Sequence, residues 1–429
     1  MKDLRLFLLL TVGFFIMTTV SCTKDKSTTF VTYKKFTPIY MTLAEMNAES
    51  EIQDAQSMKK TGKIFVYGDY IFINEVREGV HVIDNANPSN PVNVSFIKVP
   101  GNIDIAVKGH LLFLDSYFDL LTFDISDPAH PQFVSRAENA FPNTKYRYSA
   151  SRNAYLVGQL EEIVTEEMDS EVPEKAGWRD GSFWVVKDNA SGGGQGGGSG
   201  GGGSTGPVTV AGSMASMVVV DDYLYIISGR KVLLFSAQAS PSPAGSFEVG
   251  FRIETLFPAQ NKLFIGGSVG MYIYDNSDPL NPVKLSQFMH FNSCDPVFVK
   301  GDIAYVTLRD GTPCQGAQNQ LDVIDISNLQ QPKLLKEYPM YNPHGLSVDD
   351  NQLYLCDGGE GLKVFEISDL QNITAHLKYA YKGIDAYDVI RMPNKDLLIV
   401  IGKGGLYQFD ISNADQIQKV SFLSTNVEG

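Results

Sequence analysis

Short runs of apolar residues, each ending in an acidic residue and a turn, recur along the chain. In the stretch 321–332, LDVIDISNLQQP, the apolar run ends at Asp325, and small polar residues and a turn follow. The same pattern occurs five more times, and two weaker copies end at Asp188 and Ser236. The five acidic positions are Asp84, Asp124, Asp275, Glu366 and Asp410. Successive positions lie 39 to 64 residues apart, and a repeat of about 40 residues with insertions is the period of four-stranded propeller blades.

Each repeat divides into four strand-like segments rich in Val, Ile, Phe and Tyr, separated by Gly, Asp and Pro turns. The first repeat contains KIFVYG, DYIFINE, GVHVIDN and PVNVSFIKV. The sequence therefore predicts an all-β fold, an eight-bladed β-propeller of four-stranded antiparallel blades over residues 58–425. Because the first blade is complete within one repeat, no strand from the far terminus is needed to close the ring. The third repeat departs from the pattern, so seven blades stay an alternative.

Two segments interrupt the repeats in the middle of the chain. Residues 160–181 form an acidic insertion with eight Asp and Glu residues, which could form a lid or a wall. Residues 192–206 are almost entirely Gly and Ser. Such a tract cannot bury enough surface to order itself, so it is interpreted as a flexible connector rather than a phosphate-binding loop.

The N-terminus predicts export. Residues 1–21 have a short basic start followed by an apolar run from Leu6 to Val20, which is short for a membrane span and typical of a signal peptide. Small or apolar residues before Cys22 indicate lipoprotein processing, with Cys22 as the acylated first residue of the mature chain. The alternative is an ordinary signal peptide with a chance cysteine. Residues 22–29 then form a polar tether, and residues 30–57 a lead-in across the propeller, with one or two helical turns after Thr42.

Composition and charge exclude some partners. The chain has 429 residues, of which 43% are hydrophobic, so it can bury a substantial core. Its formal net charge of −14 argues against nucleic acid as a partner, because a phosphate backbone needs a basic surface. The same charge argues against docking on anionic lipid by charge alone.

Whole-blade strings resemble a known family. They include GNIDIAVKG, LFIGGSVGMYIYDNSDPLNP, SCDPVFVKGDIAYVTLRDGTPC, NPHGLSVDD and LYLCDGGEGLKVFEISD, beside the repeated IDIS and VIDN strand ends. These strings resemble the bacterial LVIVD-repeat proteins over roughly residues 30–425. The resemblance implies a secreted or lipid-anchored propeller, and it implies little about activity.

The antiparallel order of strands brings unusual polar residues to one end of the predicted ring. We call this end face A. It holds the loops between the second and third strands and the connections from the fourth strand to the next blade, whereas the acidic turns lie on the opposite face B. The predicted face-A residues near the inner strands are Asp104, Tyr146, Glu254, Asp295, His344 and Asp388, and those in the loops are Asp115, Asp119, Arg309, Asp310 and Asp357.

Two interpretations of these face-A residues stay open. An electronegative funnel with one histidine and one arginine could bind a cation, a basic peptide segment or a polyol. Alternatively, each carboxylate accepts hydrogen bonds from backbone N–H groups that the channel leaves unpaired. The repeated acidic strand ends are interpreted as structural, because Asp before Ser or Asn completes its own turn.

The cysteines and one catalytic-looking string add further hypotheses. Cys294 and Cys314 both fall on face A and would form a disulfide in an oxidising compartment. Cys356 is then an unpaired thiol near His344. It is interpreted as a buried free cysteine, in preference to a Cys/His nucleophilic pair or a metal site. The string 266–270, GGSVG, matches G-x-S-x-G, but strands flank it on both sides, so it predicts a hairpin rather than a serine nucleophile.

These features together predict a non-enzymatic envelope lipoprotein. We expect it in the outer membrane, periplasmic or surface-exposed, as a binding or scaffold module for an envelope protein or an extracellular ligand, with no cofactor. The alternative is an enzyme that acts on polysaccharide or peptide, with His344, Arg309 and acids of the funnel as acid and base. A third alternative is a propeller stabilised by calcium bound to channel acids.

Overall fold

The structure is a computed structural model, and the part of the chain it describes is residues 29–47, 50–141, 146–168, 177–179, 182–186, 209–211, 215–289, 296–309, 319–349, 351–413 and 415–425. The chain divides into two compact units. The insert unit is Met1–Ile39 with Gly158–Ala190, and the propeller unit is Tyr40–Val157 with Ser191–Gly429.

The chain before the first repeat forms two strands and a short helix: β1 (Thr29–Met41), α1 (Leu43–Met46) and β2 (Glu51–Asp54). Thr42 caps α1 as predicted. Its side-chain oxygen accepts a hydrogen bond from the Glu45 backbone N–H at 3.3 Å, and the Glu45 carboxylate accepts one from the Thr42 N–H at 2.7 Å. This reciprocal capping box satisfies backbone donors that a helix start leaves unpaired. The segment predicted as a lead-in therefore consists of strands on either side of a capped turn.

The first two repeats form four strands each, in the predicted order. In the first sheet, strand β2 is added outside the fourth strand. The eight strands of these repeats are β3 (Thr61–Tyr67), β4 (Tyr70–Glu75), β5 (Gly79–Asp84), β6 (Val92–Lys98), β7 (Ile105–Lys108), β8 (Leu111–Ser116), β9 (Asp119–Asp124) and β10 (Gln132–Ala137).

The third repeat is built differently. Its strands form a sheet in the order β11-β12-β1-β14-β13, so the N-terminal strand enters the middle of this sheet. The residues Tyr33 to Phe36 of β1 pair antiparallel with β14. The other four strands of this sheet are β11 (Arg147–Ser149), β12 (Ala154–Met168), β13 (Gly177–Arg179) and β14 (Ser182–Val186).

The two mid-chain interruptions are only partly described. The first residues of the acidic insertion continue β12 as far as Met168, and the remainder lies partly outside the described residues, as does the whole Gly/Ser-rich tract. After that tract, β15 (Thr209–Ala211) pairs antiparallel with β3, Thr209 opposite Tyr67 and Ala211 opposite Phe65. The first sheet thus gains a strand on its inner edge.

The five later repeats each form a four-stranded antiparallel sheet. Their strands are β16 (Met217–Val220), β17 (Tyr223–Ser228), β18 (Lys231–Ser236), β19 (Pro243–Glu248), β20 (Ile253–Ala259), β21 (Lys262–Gly267), β22 (Gly270–Asp275), β23 (Val283–Met289), β24 (Val297–Lys300), β25 (Ile303–Leu308), β26 (Gln320–Asp325), β27 (Lys333–Pro339), β28 (Leu346–Val348), β29 (Gln352–Cys356), β30 (Leu362–Glu366), β31 (Leu377–Tyr381), β32 (Ala386–Arg391), β33 (Leu397–Gly402), β34 (Gly405–Asp410) and β35 (Gln418–Ser424), with a 3₁₀ turn at Ile373–His376.

The hydrophobic core of the propeller unit lies between neighbouring sheets. Seven apolar clusters join successive sheets into a closed circuit, which returns from the eighth repeat to the first, where Ile399 and Ile401 pack with Ile64 and Ile73. Within this circuit the second repeat is followed by the fourth. The predicted β-propeller of antiparallel blades is therefore confirmed. Among the described residues there are eight sheets, as predicted, and seven of them share the circuit of cores.

The acidic strand ends form turns as predicted. In Asp84, Asp124, Asp275, Asp325 and Asp410, a carboxylate oxygen accepts a hydrogen bond from the backbone N–H two residues later, at 2.7–3.0 Å. The hydrogen bond to the Ser277 side chain is the largest of the effects that lower the pKa of Asp275 to about 2. The string 266–270 is the predicted hairpin, because Gly267 pairs with Gly270. Among the described residues, no helix is both long and apolar enough to cross a bilayer.

Candidate functional site

Asp104 stands at the start of the second inner strand, as predicted, and it binds other parts of the propeller unit. One carboxylate oxygen accepts hydrogen bonds from the Lys63 ammonium, from the Ser216 hydroxyl and, at 2.9 Å, from the Ser216 backbone N–H. The other oxygen accepts from the Ile105 N–H at 2.9 Å. Asp104 is only 4% exposed. This carboxylate therefore joins the first, second and fourth repeats, which is a structural role.

The acidic residues in the loops of the second repeat also bind other groups of the protein. Asp115 accepts hydrogen bonds from the backbone N–H groups of Ile103 and Asp104, both at 2.7 Å. Asp119 pairs with Arg136 at 2.7 Å and accepts from the Asn139 N–H at 2.9 Å. Buried carboxylates that accept several hydrogen bonds stabilise the loops that donate them.

Asp357 and Asp388 lie beside the odd thiol, Cys356. Asp357 is fully buried, accepts hydrogen bonds from the backbone N–H groups of Tyr341 and Asn342 and pairs with Lys363. Asp388 accepts from the Val389 N–H at 3.0 Å. Burial, and then the charges of Asp388 and Asp357, raise the pKa of the Cys356 thiol. Cys356 is a buried free cysteine, as predicted, and its protonated thiol is a poor nucleophile.

Gly345 shows how closely the chain approaches Asp388. A Cβ atom at position 345 would lie 2.0 Å from a carboxylate oxygen of Asp388. Any larger residue there would require the Asp388 side chain to move.

Four other side chains from four successive sheets form a group that we call the polar arc. Glu254 lies in β20, Arg309 follows β25, His344 precedes β28, and Tyr387 lies in β32. The Arg309 guanidinium donates to the imidazole of His344, with 2.9 Å between Nη1 and Nε2. The rings of His344 and Tyr387 lie 5.6 Å apart. Arg252 binds Glu254, with 2.8 Å between its Nε and the Glu254 Oε1.

Burial controls the protonation of the polar arc. It lowers the pKa of His344 to about 3, with Arg309 adding to the effect, so the imidazole is neutral near pH 7. Burial also raises the pKa of Glu254, and Arg252 and Arg309 oppose this shift. Tyr387 has its pKa raised to about 12 by burial and by Asp385. The polar arc therefore combines a permanent cation, a neutral imidazole, a carboxyl group and a phenol.

The chemistry available to the polar arc is hydrogen bonding from several directions. Arg309 supplies donors in a planar fork, and a neutral histidine and a phenol can both donate and accept. Such a set suits ligands that carry hydroxyl or carboxylate groups. In the part of the chain that the structure describes, no group of three or more His, Cys, Asp or Glu side chains is arranged to hold a metal ion.

The structure thus separates the predicted site residues into three sets. Glu254, Arg309 and His344 come together, whereas Asp104, Asp357 and Asp388 each accept hydrogen bonds from nearby backbone N–H groups. The predicted ligands Asp295 and Asp310, the cysteines Cys294 and Cys314, and the lipidation site Cys22 lie outside the described residues.

Sequence reasoning did not identify three residues of these groups. Lys63, Arg252 and Tyr387 all lie in or next to an inner strand, where the predicted site residues also begin. A comparison of each repeat at that position could have found Lys63, because the first inner strand carries a basic residue where the second and eighth begin with Asp104 and Asp388.

Comparisons with known proteins agree with this architecture. The LVIVD repeat model matches residues 59–97, 103–138 and 293–339. No curated protein matches the chain significantly. Among solved structures, the periplasmic gluconolactonase PpgL of Pseudomonas aeruginosa has a TM-score of 0.53 at 11% identity, over 85% of this chain and 96% of that one.

Two further solved structures show weaker similarity. The computationally designed Ika8 protein has a TM-score of 0.49 at 9% identity, over 87% of this chain and 92% of that one. BamB from Moraxella catarrhalis has a TM-score of 0.45 at 8% identity, over 87% of this chain and 96% of that one. At such identities a structural likeness concerns the fold alone. The repeat matches and the circuit of antiparallel sheets together show that this chain folds as a β-propeller and carries LVIVD repeats.

Proposed function

We propose that the protein is a non-enzymatic binding or scaffold module of a bacterial envelope, anchored to the outer membrane by a lipid on Cys22. The observation that carries the proposal is that the acidic residues of face A are already held by hydrogen bonds and ion pairs within the protein. Asp104, Asp115, Asp119 and Asp357 all accept hydrogen bonds from the protein's own backbone or cations. Groups held this way build a rigid surface rather than transfer protons.

The polar arc is the part of face A that suits a ligand. Its members come from four sheets and are unique to their repeats, in contrast to the acidic turns that recur through the ring. A rigid scaffold with a few polar groups near one end is a common design for binding proteins. We therefore expect an envelope protein or an extracellular ligand with hydroxyl or carboxylate groups to contact Arg309 and His344.

Affinity capture of the tagged, lipidated protein from its own envelope tests this proposal. The test compares wild type with Arg309→Gln and with the control Lys231→Gln. The control removes an exposed ion pair between Lys231 and Glu248, both of which lie in a different sheet from Arg309. A stoichiometric partner that is retained by the control and lost in Arg309→Gln supports binding at the polar arc. Equal capture by all three proteins would place the interface elsewhere.

An enzyme that acts on polysaccharide or peptide is the second candidate. One observation favours it: burial raises the pKa of Glu254, which is the adjustment that a general acid needs near neutral pH. Purified protein that cleaves a defined glycan or peptide, and loses that activity in Glu254→Gln while keeping its fold, would replace the binding proposal with this one.

A further inference from the structure

Two exposed aromatic side chains lie on face A beside the polar arc. Phe251 is 48% exposed and precedes Arg252, in the connection between β19 and β20. Tyr341 is 63% exposed and lies three residues before His344, in the connection between β27 and β28. Connections of this kind form face A, so an apolar ring in contact with solvent accompanies both the Glu254 and the His344 regions of the polar arc.

The protein holds the Tyr341 segment in place through its backbone. The N–H groups of Tyr341 and Asn342 donate to the Asp357 carboxylate, at 3.0 and 2.8 Å, and Asp357 is fully buried. The ring of Tyr341 lies beside Gly359, where a Cβ atom would be 3.9 Å from the Tyr341 Cε1 atom. Glycine at this position adds no side chain that would cover the ring. Tyr341 is therefore an exposed ring on a fixed support.

The Phe251 segment is fixed in the same way. The Arg252 carbonyl accepts a hydrogen bond from the Ser268 N–H at 3.0 Å, and the Ile253 N–H donates to the Gly229 carbonyl at 3.2 Å. These two bonds tie the connection to the hairpin turns of its own and the preceding sheet. Both aromatic rings are thus presented by backbone that is already ordered, so little backbone entropy is lost when a ligand binds.

The polar arc adds hydrogen-bonding groups to the two rings. Arg309 donates to His344, and its charge also acts on the Glu254 carboxyl, so these three groups adjoin one another. A sugar has the complementary chemistry, with apolar C–H groups on its faces and hydroxyl groups around its edge. The C–H groups stack on aromatic rings, whose faces are partly negative, and the hydroxyl groups bind guanidinium, imidazole and carboxyl groups.

A peptide fits the same surface less well. One common mode of peptide recognition adds a strand to a free sheet edge through main-chain hydrogen bonds. The backbone N–H groups of the segment 341–345 are already bound within the protein, and residue 343 is a proline without one. The acceptors are the Asp357 carboxylate for Tyr341 and Asn342, the Cys356 carbonyl for His344, and the Tyr387 carbonyl for Gly345. Recognition by this segment therefore depends on side chains, which suits a sugar.

We propose that the polar arc, together with Phe251 and Tyr341, is a binding site for an oligosaccharide. One sugar stacks on each ring, and hydroxyl groups of the chain bind Arg309 and His344. Neighbouring sheets pack about 10 Å apart, and the two rings belong to connections two repeats apart, so one sugar does not reach both. The inference rests on the proposed function, a binding role for the polar arc, and names the chemical class of the ligand.

Calorimetric titration of the full-length protein in mild detergent tests this site with four sugars: cellohexaose, xylohexaose, mannohexaose and hexagalacturonate. The variants Phe251→Ala and Tyr341→Ala each remove one ring, and Tyr341→Phe keeps the ring. The control Phe133→Ala removes a phenylalanine of similar exposure, 50%, from β10, the outermost strand of the second repeat. Urea unfolding shows that each variant keeps the wild-type stability, as expected for exposed side chains.

We expect at least one of the sugars to bind, with a Kd raised about tenfold by Tyr341→Ala and by Phe251→Ala and unchanged by Tyr341→Phe and by the control. A Kd that either alanine variant leaves unchanged, or no binding of any of the four sugars, overturns the inference. If affinity capture then returns a protein that Arg309→Gln loses, the binding role of the polar arc stands and only the ligand class is wrong. Shortened products in chromatography of the bound sugar would overturn the non-enzymatic function and leave the sugar site in place.

Discussion

The buried contact between Asp104 and Lys63 makes the most direct prediction about face A. Lys63 is 8% exposed and Asp104 is 4% exposed, so the ammonium and the carboxylate are both largely removed from water. The Ser216 N–H and hydroxyl complete the contact from the fourth repeat. Replacement of Asp104 by Asn keeps the volume of the side chain and removes its charge.

The expected cost of Asp104→Asn is about 3–5 kcal/mol in the free energy of unfolding. That cost arises because the Lys63 ammonium stays buried without its counter-ion, and the Asn amide can place an N–H against it. The double variant Lys63→Met with Asp104→Leu should recover most of this stability, since it removes both charges together. The loss is therefore specific to an unpaired buried charge rather than to the position.

A second Lys–Asp pair, between the second and fourth repeats, provides the control. Lys108 and Asp222 also form an ion pair, but their side chains are 30% and 82% exposed. Water and salt screen such a pair, so Asp222→Asn should unfold at nearly the same urea concentration as wild type. Urea unfolding followed by far-ultraviolet circular dichroism measures all four proteins under one condition.

The result that would refute this reasoning is a small effect of Asp104→Asn. If its unfolding midpoint equals that of Asp222→Asn, the Asp104 carboxylate does not hold the inner strands together. Asp104 would then be available to a ligand, and the argument that the face-A acids are structural would fail at its best-defined residue.

Two further predictions concern protonation and backbone geometry. Because the pKa of His344 is about 3 in the folded protein against 6.5 for an ordinary histidine, the unfolded chain takes up a proton first as the pH falls, so stability decreases between about pH 6.5 and 3. In His344→Gln the decrease in the free energy of unfolding should be smaller than in wild type, by about 2 kcal/mol at pH 5. Urea unfolding at pH 5 and 7.5 measures this difference. An equal decrease in both proteins would contradict the assigned burial of His344. Gly270 has φ of +145°, and a Cβ atom there would lie 2.1 Å from the Phe288 carbonyl oxygen, whereas Gly301 has φ of +57° and open space around it. Gly270→Ala should cost about 4 kcal/mol or more and Gly301→Ala about 1 kcal/mol in the same assay, and similar costs would show that the contact is easily relieved.

The sequence predicts features of the fold that depend on local pattern. Alternating apolar residues and Asp-Ser turns define strands and their ends, and these signals act over a few residues, so the repeats and the turn at Asp325 are recognised correctly. The capping box at Thr42 and the hairpin at Gly267 are found for the same reason. In each of these features the residues that bind one another lie within a few positions in the sequence.

Features that depend on distant partners are not predicted. The third repeat resembles a blade in part, but its sheet includes β1, which lies more than 100 residues earlier in the chain. No local sequence pattern predicts that pairing. The contact of Lys63 with Asp104 and Ser216 joins three repeats in the same way. A sequence can show that a carboxylate lies on an inner strand, but it does not show which donor reaches it.

The repeats themselves provide a comparison that separates architecture from function. Where a role recurs in most sheets, as with the acidic turns, its purpose is to build the sheet. At the inner ends of the strands the ring is not symmetric. Lys63, Asp104 and Ser216 bind one another on the side of the first, second and fourth repeats.

On the side of the fifth to eighth repeats, the equivalent region holds the polar arc, and the Glu254 side chain keeps 14% of its surface exposed. The His344 imidazole beside Arg309 is neutral, and the charge of the same guanidinium acts on the Glu254 carboxyl. One half of the inner ring therefore joins three repeats through a buried ion pair, and in the other half the Glu254 carboxyl is only partly buried. This asymmetry is the reason why we propose a binding role for the polar arc rather than for the acidic residues as a whole.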